Sequence, residues 1–501
     1  MTRETFLGMP GVPRAERQQG TARDLLMEVV EQDLCIGCGA CAALDGSPLE
    51  IRLSESGRYR AIAREGADLD QEGAYLRVCP FASQYDEDQL AAGFLGRAQD
   101  LRHHDSVGLH RETMAGHVSS EPFRRDGSSG GMTSWFLQRL LDADEVDAVL
   151  HVGALAPGEG VTPEGGDLLF GYGVSHTSAD VRARAKTRYY PVEMSGVLRH
   201  VRENEGRYAV VGLPCFIKAV RLLQAEDPIF DERVRFCVGL VCGHLKSTRF
   251  AEAMAWEQGV APGTLTGIDF RTKTDTDAGS YAISTIDADG TERSRENHRH
   301  LVTDWGMGMF KYEACEWCDD VTSETADISF GDAWIAPYAQ DPKGANVAVV
   351  RSGDAQRVVD AHRDDLQAEP LSADDVARTQ DAGLRHRREG LAYRLSRGRT
   401  GRRRVPIKRV SPDASVPAWR AEVYDVRERL ISEADQAFAR TRGSGDFRRF
   451  RDAVRPTVWS YQVLYERSAQ KRIAGFLQRH APWLRSAVRA GMRRVRFMRH
   501  G

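Results

Sequence analysis

The sequence predicts an α/β (α+β) core with a partly parallel sheet, preceded by a small cysteine-rich module and followed by an Arg-rich helical tail. Three observations carry this expectation. Short apolar runs bounded by Gly and Pro alternate with helix-like periodicity from about residue 105 to 350. Three cysteines crowd into residues 35–41, with a fourth at 79. Beyond about residue 380 the pattern turns helical and basic. A chain of 501 residues with 41% hydrophobic and 28% charged side chains can bury two to four folded units and is not a disordered polymer.

The elements follow in order. Residues 1–30 carry little pattern and read as a leader arm. They hold Arg14, Glu16, Arg17, Arg23 and Asp24 with no apolar stretch, which argues against a secretory signal. No window of 18 apolar residues suggests a membrane span. The expected setting is therefore cytoplasmic. Residues 31–100 are a compact Gly-punctuated module. Met132 to Leu141 reads as a helix and Val146 to Val152 as a buried strand. Tyr208 to Leu213 and Val234 to Val241 are further strands, the first followed by a helix opening at Pro214. Gly267 to Arg271 and Tyr281 to Ile286 read as an antiparallel pair, and Ala326 to Phe330 and Val347 to Arg351 as short strands. The domain expectation is a leader (1–30), a cluster module (31–100), two halves of a core (101–200 and 201–380) and a basic helical tail (381–501).

Cys35-Ile-Gly-Cys38-Gly-Ala-Cys41 is a C-x2-C-x2-C turn, and Cys79 precedes Pro80. A cubane cluster needs thiolates from one tight loop plus one distant arm, and this pattern supplies both. Bacterial ferredoxin-type 4Fe-4S sites look the same. A zinc site more often takes two separated C-x2-C pairs. Gly37 and Gly39 let the backbone wrap closely. A second set is looser. Cys215 and Cys242 each follow the carboxyl end of a strand, and Cys315 and Cys318 form a C-x2-C pair. If those strands are parallel neighbours, the thiols meet on the edge where open α/β sheets bind ligands. Either a second cluster or buried free cysteines would account for them. Cys237, inside its strand, reads as core.

Asp126 to Thr133 is a Gly/Ser-rich turn opening a helix, suited to a phosphate or flavin edge or to plain capping. Lys186 to Tyr190 mixes cations and aromatics. Arg271 and Lys273 follow a strand and would hold phosphate or line a surface edge. Asp332 stands at a strand tip, where ligand contact and a tight turn are equally open. His103, His104 and His110 have no metal-like partners and read as surface residues.

The net charge of −3 conceals an asymmetry. Arg385 to Arg409 carries eleven Lys/Arg against one acid, and Arg448 to Gly501 carries fourteen against two. An acidic body thus bears two basic segments. From Val454 to Met498 arginines interleave with Trp459, Tyr461, Phe476, Trp483 and Phe497, which suits a membrane surface, a partner or the acidic body itself. No nucleic-acid motif accompanies the charge, so nucleic acid is not the expected partner.

Taken in order, these motifs resemble the family of coenzyme F420 hydrogenase/dehydrogenase beta subunits, iron–sulfur flavoproteins that include 7-hydroxymethyl chlorophyll a reductase. The matching stretches run from Cys35–Cys41 with Cys79-Pro80 through Gly127–Gly131, Lys186–Tyr190, Val211–Cys215, Gly239–Cys242 and Phe270–Lys273 to Cys315-x-x-Cys318 and Ala326–Trp334. The acidic loop Thr274–Gly279 and the tail depart from it. The resemblance implies that Cys215, Cys242, Cys315 and Cys318 bind a second 4Fe-4S cluster. It implies FAD, with Ser128, Ser129, Gly130, Gly131, Lys186, Arg188, Tyr189 and Lys273 as contacts. It implies an oxidoreductase moving electrons between a hydride carrier, coenzyme F420, and one-electron acceptors. Rival readings are a ferredoxin-dependent reductase of an organic substrate of the chlorophyll or polysaccharide type, and a non-catalytic electron-transfer subunit. The expected partner is ferredoxin or another oxidoreductase subunit, with homo-oligomerisation and peripheral contact of the tail with the inner membrane face as further readings. Tyr189 and Asp332 are the only weak candidates for a proton donor.

Overall fold

The computed structural model describes residues 20–96, 100–398 and 404–465. An eight-stranded mixed sheet organises them. Its strands are β1 (Glu112–Val118), β2 (Ala148–Ala154), β3 (Phe170–Ser175), β4 (Tyr208–Gly212), β5 (Val234–Leu240), β6 (Ile328–Asp332), β7 (Asn346–Val350) and β8 (Leu366–Pro370). In space they run β8-β1-β7-β6-β5-β4-β2-β3. The four middle strands β6, β5, β4 and β2 are parallel. The outer strands join antiparallel. Strands β4 and β5 are near-continuous apolar runs because both their faces are covered.

Side-chain alternation divides the sheet between two cores. Leu150, Val210 and Cys237 face the N-terminal module and the helix Pro214–Glu226. Val149, Ala209, Val211, Phe236, Val238 and Phe330 face the helices Met132–Asp142 and Gly353–Ala361. A third core joins the helix Thr248–Glu257, a three-stranded antiparallel sheet (Leu265–Thr272, Ala282–Asp287, Glu292–Glu296) and two C-terminal helices, Ala418–Thr441 and Phe447–Tyr465.

Several expectations shift. Residues 20–30 are not a free arm. Thr21 and Asp24 form a capping box for a helix whose Leu25 and Val29 are buried in the N-terminal module. Residues 1–19 lie outside the described residues. His110 is not at the surface: it is 4% exposed, and its Nδ1 lies 3.0 Å from the Gly108 carbonyl. The amphipathic helix over Phe447–Tyr465 turns Phe450, Val454, Val458, Tyr461 and Leu464 inward and leaves Trp459 exposed. Phe476, Trp483 and Phe497 lie outside the described residues. Among the described residues, no helix is long and apolar enough to cross a membrane.

Candidate functional site

Cys35, Cys38, Cys41 and Cys79 line one cavity with Leu25, Val29, Ile36 and Phe81. Two left-handed glycines shape its loop. A Cβ on Gly37 would meet the Tyr59 carbonyl at 2.5 Å, and one on Gly39 would meet the Ser195 nitrogen at 2.5 Å. The loop is thus pressed between the hairpin Leu49–Leu53/Tyr59–Ala63 and the helix Ser195–Glu203. Met194 N–H donates to the Cys38 carbonyl at 3.1 Å, which ties the module to the core. Cys35 Sγ accepts from Gly37 and Ala61 N–H at 3.4 and 3.5 Å. Burial pushes Cys79 up to about 12 and Cys38 higher still, so thiolates there call for a compensating positive group.

The second set assembles as the parallel topology requires. Cys215 lies in the first turn after β4 and Cys242 two residues past β5. Cys315 and Cys318 flank the end of the short helix Glu313–Trp317. All four line a second cavity with Ile36, Phe81, Pro214, Leu245, Asp320 and Arg387. Ile36 and Phe81 belong to both cavities, so the two rings of cysteines adjoin. Leu245 N–H donates to Cys315 Sγ at 3.3 Å. Burial, outweighing the nearby Arg387, raises Cys242 to about 12. Among the described residues, no three His, Cys, Asp or Glu side chains converge as a single ion would need. Four thiols ring each cavity, the donor set that a 4Fe-4S cluster takes. Cys237 is buried inside β5, its N–H donating to Asp327 at 2.7 Å and its Sγ 3.8 Å from Gln224 Oε1.

The candidate flavin contacts also come together. Ser128 Oγ accepts from Thr187 N–H at 2.9 Å, joining the Gly/Ser turn to the Lys186–Tyr190 loop. Lys273 Nζ donates to the Ser129 carbonyl at 3.2 Å and to the Arg124 carbonyl. Gly131 has φ +84° at the N-terminus of the helix Met132–Asp142, and a Cβ on Gly130 would meet the Asn346 nitrogen at 2.8 Å. Arg271 pairs with Asp332 at 2.6 Å and lies over the rings of Tyr281 and Trp334. Lys186 pairs with Asp269 at 3.0 Å. Burial, with Lys186, Arg124 and Arg271 close by, lowers Lys273 to about 8. Arg124 pairs with Asp341, so among these four cations Lys273, which donates to carbonyls, is the one without a carboxylate partner among the described residues. It stands beside a Gly/Ser turn at a helix N-terminus, a setting that suits a phosphate. Two side chains point elsewhere. Ser129 Oγ donates to the Ala345 carbonyl at 2.9 Å within the fold, and Arg188 stacks on Phe170 at 4.7 Å.

Three participants escape a reading of motifs. Tyr189 packs on Trp305 at 4.7 Å, and Trp305 packs on His244 at 4.6 Å, two residues after Cys242. That aromatic file leads from the candidate flavin contacts toward the stretch that follows Cys242. Arg387 was visible only as one charge within a basic run, whereas its position in the second cavity depends on tertiary packing.

A family model described as coenzyme F420 hydrogenase/dehydrogenase, beta subunit N-term, matches residues 113–199, and its C-terminus counterpart matches residues 205–374. The chain belongs to this family. It is 24% identical over 352 residues to an F(420)H(2) dehydrogenase subunit of Methanosarcina mazei, covering 68% of this chain and 86% of that protein. A chain of the xenon-derivatised F420-reducing NiFe hydrogenase complex from Methanosarcina barkeri aligns with a TM-score of 0.44 at 16% identity, over 59% of this chain and 96% of that one.

Proposed function

We propose that this protein is a flavin-dependent iron–sulfur oxidoreductase that moves electrons between coenzyme F420 and one-electron acceptors through FAD and two 4Fe-4S clusters. The carrying observation is the pair of adjoining cavities, each ringed by four cysteines and sharing Ile36 and Phe81. When bound, the flavin supplies the exchange between a hydride and single electrons, and the clusters supply the relay. The chain's own residues position and insulate these groups. The Gly/Ser turn with Lys186, Lys273 and Arg271 holds the dinucleotide phosphates. Tyr189 and Trp305 pack edge-to-face between the flavin contacts and the stretch that follows Cys242. Eight cysteines hold the clusters, and N–H groups of Gly37, Ala61 and Leu245 steady their sulfurs.

Anaerobic purification with iron, sulfide and flavin measured together tests this. About eight iron and one flavin per chain are expected from two cubane clusters. Cys242→Ser should leave about four, and zinc in place of iron would overturn the proposal. Adding reduced F420 should bleach the flavin band. The Methanosarcina mazei relative is named as a subunit, which supports a second reading: an electron-input subunit whose acceptor sits on a partner protein. Rapid bleaching with steady turnover only when a partner is supplied would select that reading.

A further inference from the structure

The two cavities differ in charge, and the difference bears on which way electrons settle. This inference rests on the two-cluster reading. The side chains lining the first cavity are apolar, apart from the four cysteines, and none is charged. The cations nearest its thiols are already matched: Arg60, beside Cys35, pairs with Asp33, and Arg404, beside Cys79, pairs with Glu28. The second cavity has a guanidinium in its wall. Arg387 is 5% exposed, donates to the Gly243 carbonyl at 2.6 Å and reaches within 3.9 Å of Cys242 Sγ. It faces the sulfurs of Cys318, Cys242, Cys315 and Cys215 together. Among the described residues it has no carboxylate within ion-pair distance. The one acid in the wall, Asp320, accepts from the Ser323 and Glu324 N–H groups at 2.8 and 3.0 Å.

Adding an electron to a thiolate-bound cluster increases its negative charge. A fixed cation in a low-dielectric wall stabilises the reduced form more than the oxidised one. We propose that Arg387 makes the cluster held by Cys215, Cys242, Cys315 and Cys318 the higher-potential centre, so that electrons collect there and not on the N-terminal cluster. Arg387 is then a tuning residue that acts on the cluster through its sulfurs. It also lies beyond residues 113–374, the stretch matched by the family.

The test is an anaerobic potentiometric titration of the full chain followed by electron paramagnetic resonance. Cys242→Ser, which keeps the N-terminal cluster, assigns the signals. In the unmodified protein the second cluster should be reduced first. At the potential where that cluster is half reduced, Arg387→Gln should lower its reduced-to-oxidised ratio at least tenfold, about 59 mV for a one-electron couple. The N-terminal signal should stay in place, and Arg387→Lys should retain most of the effect. Reduction of the N-terminal cluster first in the unmodified protein overturns the proposal, whether or not Arg387→Gln keeps its iron. An unmoved midpoint in Arg387→Gln with eight iron overturns it too. Four iron in the unmodified protein overturns the two-cluster reading instead.

Discussion

Lys273 shows what a single side chain contributes here. Burial is the main force lowering it to about 8, and Lys186, Arg124 and Arg271 add to it. Two pH effects of opposite sign follow. The folded protein gives up this proton earlier than the unfolded chain. Between about pH 8 and 10.5 the unfolded state therefore binds more protons, and stability of the ligand-free protein should rise with pH across that window. Affinity for the anionic flavin should move the other way, since a neutral amine no longer attracts phosphate. Flavin binding followed by fluorescence should hold steady to about pH 8 and then weaken by up to about tenfold per pH unit. Lys273→Met should bind more weakly at pH 7 and flatten that dependence. An unchanged profile in Lys273→Met would place the phosphates elsewhere.

At the scale of elements, Arg404 to Arg409, the end of the first basic segment, form a strap across the joint between the N-terminal module and the core. Arg404 donates to Glu28 at 2.7 Å and to the Ala82 carbonyl, three residues past Cys79, at 3.2 Å. Lys408 lies 3.5 Å from both Glu87 and Asp319, and Asp319 adjoins Cys318. Arg409 pairs with Glu324 and reaches Asp88 at 3.1 Å. Glu87 is the keystone, because it also pairs with the buried Lys218 at 3.0 Å. Glu87→Ala strands buried Lys218 and leaves Lys408 with Asp319 alone, and should cost about 3–5 kcal/mol in chemical denaturation. It should also loosen the second cluster, read as iron loss on dialysis. The strands that form this joint were legible because β4 and β5 are unbroken apolar runs ending at cysteines. β3 was not, since Phe-Gly-Tyr-Gly-Val-Ser alternates glycine with larger residues and has little apolar contrast. The strap was legible only as a charge total. Which acid each arginine meets is a tertiary fact: 321 residues separate Arg409 from Asp88.

For the molecule as a whole, the question is what the C-terminal helices do. The family match ends at residue 374, yet helices Ala418–Thr441 and Phe447–Tyr465 complete a core that begins at Leu169. Phe450 is fully buried and meets Phe310 at 5.8 Å, Phe438 at 6.2 Å and Trp256 at 6.4 Å. Buried Arg427, on the first of these helices, lies near Lys246 and Lys311 beside the second cavity, and its charge adds to the burial that lowers both amines. Packing, with the Arg58–Asp435 ion pair, therefore binds this extension to the redox core, and its described part is not a separable arm. Phe450→Ala should accordingly cost about 3–5 kcal/mol, the range for emptying a packed aromatic site. Trp459→Ala, on the exposed side of the same helix, should change stability by no more than about 0.5 kcal/mol. The pair separates packing from surface attachment. If the helix were a membrane-facing arm, Trp459→Ala would lower liposome co-sedimentation and Phe450→Ala would leave the melting temperature alone. Docking against the third core requires Phe450→Ala to lower the melting temperature, with Trp459→Ala close to the unmodified protein.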